Sequence, residues 1–242
     1  MNGVILDAES LGPGVNLGPI TDQLDHWSTF THTLKDEILD RVGRADVVLT
    51  NKVALTRDLI DHAKHLKHIS VMATGTNNID LAAATEKGIS VSNAVGYATP
   101  SVSQHTLTLL LNLVTQMPRY LQDTQAGQWQ TSRVFCRLDH PIVELSGKTL
   151  GIIGLGELGQ AVGKLAQAFG MTVIAASAQA TAVSKPGPSN VQRCDLTALL
   201  MRADVVSLHC PLTADNENLI NAASFEAMKP TAFLINTARG GL

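Results

Sequence analysis

The sequence predicts an α/β protein made of two doubly wound parallel-sheet domains. Three observations carry this expectation. Short apolar strands alternate with helical stretches along most of the chain, the pattern of parallel βαβ units. With 242 residues, 45% of them hydrophobic, the chain is long enough for two modest cores. Only the second half carries a glycine-rich strand-to-helix turn, Gly154-Leu155-Gly156-Glu157-Leu158-Gly159, so the first half reads as a domain of its own.

The first half predicts strands at 4–6, 27–30, 46–50, 69–72 and 89–91. Helices fall between them at 34–42, about 56–64, and from Asp80 to a stop at Gly88. Gly96 and Pro100 punctuate the stretch 93–100, which sets the expected boundary between domains at 1–99 and 100–242. Ser101 is the expected cap of a long helix reaching about residue 116, and Pro118 its expected end. A second helical piece at 119–127 leads into an irregular arm, 129–144, whose Trp129 and Phe135 suit either an oligomer contact or a loop folded on its own domain.

The second half predicts strands at 149–153, 171–176, 204–208 and 232–236, with helices at 161–169, 196–201 and 224–228 and a Pro/Gly/Ser-rich link at 184–190. A dinucleotide-binding sheet usually has six strands. The chain is therefore expected to be cut short at Arg239-Gly240-Gly241-Leu242.

Bulk properties narrow the function. A net charge of -3 gives no electrostatic case for a nucleic-acid partner. The N-terminus lacks a basic leader region, and apolar stretches are too broken to span a membrane. Cys136, Cys194 and Cys210 are widely spaced and without a Cys-x-x-Cys pair, which fits reduced thiols in the cytoplasm and no metal site.

The glycine loop carries the chemistry. An apolar strand runs into Gly-x-Gly-x-x-Gly and then a helix, the order a dinucleotide pyrophosphate needs. Gly154 permits the tight turn, Gly156 lets the backbone approach phosphate, and Gly159 lets helix and strand pack closely. The helix start adds N–H donors and the positive end of its dipole. Glu157 and Leu158 sit at that start, where the Glu157 carboxylate is an awkward neighbour for phosphate and its backbone N–H is the expected contact.

Other candidates lie past strand ends. Arg239 follows the strand at 232–236, where ligands bind in open α/β sheets; a guanidinium there can grip a carboxylate in two-pronged fashion, or be a surface arginine among glycines. Thr74-Gly75-Thr76 follows a strand as either an anion-binding nest or a plain turn. Lys52 follows another and suits either an acidic substrate or solvent.

Five stretches together resemble the D-isomer-specific 2-hydroxyacid dehydrogenases, most like their D-glycerate dehydrogenase (hydroxypyruvate reductase) branch. They are Ala73-Thr74-Gly75-Thr76-Asn77-Asn78-Ile79-Asp80, the run from Gly96 through Gln104-His105-Thr106, and the run from Glu144 to Gly154. Ser207-Leu208-His209-Cys210-Pro211-Leu212-Thr213 and Leu234-Ile235-Asn236-Thr237-Ala238-Arg239-Gly240-Gly241 complete the set. The resemblance implies a flavodoxin-like substrate domain and a Rossmann dinucleotide-binding domain, assembled as a homodimer. It implies hydride transfer between NAD(H) or NADP(H) and a small 2-keto or 2-hydroxy acid, hydroxypyruvate and D-glycerate foremost. By the same resemblance Arg239 binds and polarises the substrate, and Thr74 and Gly75 serve its carboxylate. Cys210 and Pro211 become backbone and packing contacts to the cofactor, and Thr237 and Ala238 border the nicotinamide amide.

Two departures qualify the resemblance. At the end of the second strand an NAD enzyme places Asp or Glu; here stands Ser177, with no acid and no adjacent arginine in the sequence, so NAD and NADP both remain open. The family's catalytic histidine and the glutamate that orients it are expected beyond Leu242, so the 242 residues alone are expected to be inactive. The alternative is a shortened, non-catalytic protein that binds a nucleotide or a partner.

Overall fold

The computed structural model describes residues 1–177 and 191–242; the link expected at 184–190 lies outside the described residues. The chain divides into two compact units, Met1–Tyr97 and Ala98–Leu242, two residues ahead of the expected boundary. The division falls at the first long helix, whose N-cap is Ala98.

The first unit runs β1 (Asn2–Ile5), α1 (Gly18–Thr21), β2 (His26–Thr29), α2 (Ile38–Val42), β3 (Val47–Thr50), α3 (Arg57–His62), β4 (His68–Val71), α4 (Leu81–Glu86) and β5 (Ser90–Asn93). All its pairings are parallel, in the order β2-β1-β3-β4-β5. This is the flavodoxin-like order expected. Val4, Val48, Ile69 and Val71 from the strands pack with Ile38, Ile60 and Ala83 from the helices in one core. Each such Val or Ile contributes about 1.5–3 kcal/mol by burial. The Asp80 carboxylate caps α4 by accepting from the Ala83 N–H at 2.8 Å. Helix α2 starts four residues later than the pattern predicts, because the Glu37 carboxylate accepts from the Leu34 N–H (2.8 Å) and holds a turn there.

The second unit runs α5 (Thr99–Val114), α6 (Met117–Gln125), β6 (Thr149–Ile153), α7 (Glu157–Ala168), β7 (Thr172–Ala176), β8 (Gln192–Cys194), α8 (Leu196–Arg202), β9 (Val205–Leu208), α9 (Ala222–Ala227) and β10 (Phe233–Asn236). The order β10-β9-β6-β7-β8 is parallel throughout and matches the 3-2-1-4-5 run of a Rossmann sheet. Leu150, Ile152, Val173 and Ala175 face Leu107, Leu110 and Val162 on one side. Ile153, Ile174, Val206 and Leu208 face Leu199 and Leu200 on the other. Glycine inside β6 lets α8 pack close, since a β-carbon on Gly151 would displace the Leu199 side chain, whose Cδ2 lies 2.6 Å from that position.

Three local expectations are corrected. Ser101 does not cap α5; the helix begins two residues earlier, and the Ser101 hydroxyl donates back to the Ala98 carbonyl at 3.0 Å. Pro118 does not end α5 but opens α6, a position where its missing N–H is harmless; the break is Gln116, at a left-handed φ of 52°. Strand β8 adds a fifth strand to the four expected, because an exposed edge strand reading Gln-Arg-Cys has no apolar alternation to reveal it. No helix among the described residues is long and apolar enough to cross a membrane.

Candidate functional site

The glycine loop forms a cradle at the carboxyl end of β6. Gly154 has a φ of 99°, and a β-carbon there would strike the backbone of the loop after β9, 2.6 Å from the His209 carbonyl carbon and 2.8 Å from Cys210 Cα. Gly154 thus makes the turn and also admits a neighbouring loop. A β-carbon on Gly159 would collide with the Gly154 carbonyl oxygen and lie 3.1 Å from Ile152 Cγ2. Gly156 differs from both: nothing lies within 4 Å of its β-carbon position. It is also the N-cap of α7 and supplies no side-chain cap. Open space in front of an uncapped helix start, with its N–H donors and positive dipole end, fits a pyrophosphate.

The Glu157 carboxylate, awkward beside phosphate, is turned away from that space. Its Oε1 accepts a hydrogen bond from the Thr99 hydroxyl at 2.9 Å, at the start of α5. Leu158 is half-buried beside it.

Past β9, Cys210 is buried, and burial pushes its thiol up, so it is a packing residue and not a thiolate. The Cys210-Pro211 loop is held by Asn216, a residue the sequence pattern does not mark, which is only 3% exposed. Asn216 Nδ2 donates to the Pro211 carbonyl (2.8 Å) and Oδ1 accepts from the Thr213 N–H (2.7 Å). The available signal was an Asn three residues after Thr213 in a loop, where such side chains commonly satisfy backbone groups. His209 contacts the Ser207 hydroxyl through Nε2 at 2.9 Å, while Nδ1 is sealed from solvent without a partner among the described residues. Burial lowers its pKa to about 4, so the ring is neutral at physiological pH.

Past β10, Asn236 folds the chain into a tight turn. Its Oδ1 accepts from the Ala238 N–H (2.9 Å), and its Nδ2 donates to the Arg239 carbonyl (2.8 Å). The Thr237 hydroxyl lies 3.2 Å from the buried Thr106 hydroxyl of α5. Arg239 is exposed, and its Nη1 donates to the Ala238 carbonyl at 2.8 Å, so the guanidinium rests on its own turn. Ser177 directly follows β7, with its N–H donating to the Cys194 carbonyl at 2.8 Å. No arginine adjoins Ser177 in sequence, but the sheet brings one to the end of β7. Strand β8 places Arg193 opposite Ala175, and Nη1 of Arg193 donates to the Ala176 carbonyl at 3.3 Å.

In the first unit, Lys52 and Asn51 follow β3 where it adjoins β1, the point at which the strand order reverses. The exposed Lys52 is fixed by its backbone N–H, which donates to Asp7 Oδ2 at 2.6 Å. The Asn51 N–H donates to the same carboxylate at 2.9 and 3.1 Å. Asp7 is 5% exposed and is a second residue the pattern does not mark, although an acid directly after an apolar strand was its signal. Asn51 Oδ1 is buried without a partner among the described residues. Thr74 and Gly75 follow β4, and the Thr74 carbonyl accepts from Asn93 Nδ2 at 2.7 Å. No residue from 74 to 76 has a positive φ.

The β6 cradle, the uncapped α7 start and the strand order define the second unit as a dinucleotide-binding Rossmann domain. Residues 107–242 match the NAD binding domain of the D-isomer specific 2-hydroxyacid dehydrogenases. The chain belongs to that family. It is similar to the glycerate dehydrogenase of Methylorubrum extorquens, at 39% identity over 99% of this chain and 73% of the relative. It is also similar to the hydroxypyruvate reductase of Blautia hydrogenotrophica, at 36% identity over all of this chain and 76% of the relative. The structure resembles that of an acyclic imino acid reductase in complex with NADPH and D-Arg, with a TM-score of 0.85 and 27% identity over all of this chain and 75% of that one.

Proposed function

We propose that the protein transfers hydride between NAD(P)H and a small 2-keto acid, hydroxypyruvate being the favoured substrate and D-glycerate its product. The observation that carries this is the open space at Gly156 before the uncapped start of α7, within a chain of this family. The dinucleotide, when bound, supplies the hydride for C2 of the acid.

The remaining work falls to the chain's own residues. Gly154, Gly156 and Gly159 admit the pyrophosphate, and the N–H groups of Glu157 and Leu158 face it. Ser177 stands at the adenosine ribose. Cys210 and Pro211, held by Asn216, bound the cofactor by backbone and packing contacts, and Thr237 and Ala238 border the nicotinamide amide. Arg239 is the proposed catalytic residue. Its guanidinium would grip the substrate carboxylate and polarise the keto oxygen, stabilising the negative charge that hydride addition to C2 would place on that oxygen before a solvent proton completes the hydroxyl. In the first unit, Thr74 and Gly75 are proposed as carboxylate donors, and Lys52 as a positive charge that attracts an acidic substrate. The first unit is thereby read as the substrate domain and the second as the cofactor domain.

We also propose a cytoplasmic homodimer. Its support is the apolar arm before β6, where Phe135 is 95% and Leu138 83% exposed, alongside Trp129.

The test titrates hydroxypyruvate, glyoxylate and pyruvate onto the protein loaded with NADH or NADPH, reading cofactor fluorescence. A saturable response, strongest for hydroxypyruvate and lost in Arg239→Ala, is expected. A cofactor-loaded protein indifferent to all three acids would refute the reading.

A further inference from the structure

The edge strand β8 carries a feature that the sequence order hides. Register sets Arg193 opposite Ala175, and its exposed side chain reaches the carboxyl end of β7, where Nη1 donates to the Ala176 carbonyl at 3.3 Å. The next residue is Ser177, pinned to Cys194 by its N–H at 2.8 Å. In a sheet of this order, the position just past the second strand meets the adenosine ribose. An acid there accepts from the free 2′-hydroxyl of NAD, whereas a nearby arginine accommodates the 2′-phosphate of NADP.

Charge at this edge favours the phosphate. Ser177 is short and neutral. The neighbouring acid, Asp195, directs its carboxylate onto the Ala198 N–H at 2.8 Å, where it caps α8. A guanidinium presents its N–H donors in a planar fork that matches phosphate geometry.

We propose that Arg193 is a specificity-determining residue that meets the 2′-phosphate of NADPH, with Ser177 as the uncharged neighbour that admits it. The protein accordingly prefers NADPH to NADH. This rests on the dinucleotide reading of the β6 cradle, and the experiment separates the two.

NADPH and NADH are titrated by fluorescence onto the wild type, Arg193→Gln and Arg193→Lys, with no substrate present. The wild type binds NADPH more tightly than NADH. Arg193→Gln weakens NADPH by about tenfold or more, the loss expected for a hydrogen bond between charged groups, and shifts NADH by no more than about twofold. Arg193→Lys, which keeps the charge but not the fork, falls between. On the wild type alone, 2′,5′-ADP displaces NADPH better than 5′-AMP does. Equal loss of both dinucleotides in Arg193→Gln, an unchanged ratio, or equal displacement by the two adenylates overturns the proposal. If neither dinucleotide binds the wild type, the cradle reading fails and this inference falls with it.

Discussion

Gly159, in the first turn of α7, lies against the carbonyl oxygen of Gly154 so closely that a β-carbon at 159 would occupy the oxygen's place. The obstructing atom is backbone in the turn itself, so it cannot swing aside as a side-chain end would. Gly159→Ala therefore destabilises the second unit by about 1–3 kcal/mol, the usual cost of overpacking. Gly163→Ala, one turn on, meets the flexible Ile152 Cδ1 at 3.2 Å and costs less. Urea denaturation of the two variants measures the difference, and equal midpoints would contradict the close approach.

His209 gives stability a pH dependence of definite sign. Its pKa falls from 6.5 to about 4 on folding because burial disfavours the charged ring. Above pH 6.5 the ring is neutral in both states and contributes no slope. As pH falls from 6.5 toward 4, the unfolded chain takes up a proton that the folded chain refuses. From this residue alone, stability drops by about 2 kcal/mol between pH 7.5 and 5. Denaturation at both pH values should show the loss in wild type and a smaller one in His209→Gln. Parallel behaviour would contradict it.

Asn236 is expected to matter through Arg239. It anchors the turn by two hydrogen bonds, one to each of Ala238 and Arg239. Asn236→Ala removes both, at about 1 kcal/mol each in stability. The proposed result is a weaker keto-acid response at unchanged dinucleotide affinity. Asn236→Asp, which keeps the acceptor alone, should recover part of it. A keto-acid response identical to wild type in the alanine variant would show that the turn does not position Arg239.

Asp7 is expected to organise the loop after β3. Its buried carboxylate receives the N–H groups of Asn51 and Lys52, so Asp7→Ala leaves those donors without it and costs about 2–3 kcal/mol. Asp7→Asn keeps the shape and one acceptor and should cost less. Thermal melts of both variants rank them, and equal melting temperatures would contradict the assignment.

The proposed dimer rests on the arm's apolar side chains. Phe135→Glu and Leu138→Glu place charges on that surface and should shift the protein to monomer in light-scattering chromatography without altering its melt at low concentration. A wild type that is monomeric at all concentrations removes the proposal.

Much of this was legible in the sequence. β6 and β9 are buried on both faces and mostly apolar; the glycine spacing announced the cradle, where Gly154 and Gly159 lie too close to backbone for a β-carbon and Gly156 leaves space before α7. What stayed hidden depends on contacts between distant residues. β8 is an exposed polar edge strand, so Arg193 reaches the carboxyl end of β7 only through sheet register. Asp7 and Asn51 lie 44 positions apart and meet across β1 and β3. Thr99 and Glu157, 58 apart, pair across two helices, and the bond directs the carboxylate onto the Thr99 hydroxyl.

The most direct test is a fluorescence titration of NADPH onto the wild-type protein and onto Gly156→Val, which fills the open space before α7. Saturable binding at one site per chain, abolished in the valine variant while its fold is retained by circular dichroism, is the predicted result. No saturable binding to the wild type, or undiminished binding to the variant, would contradict the account.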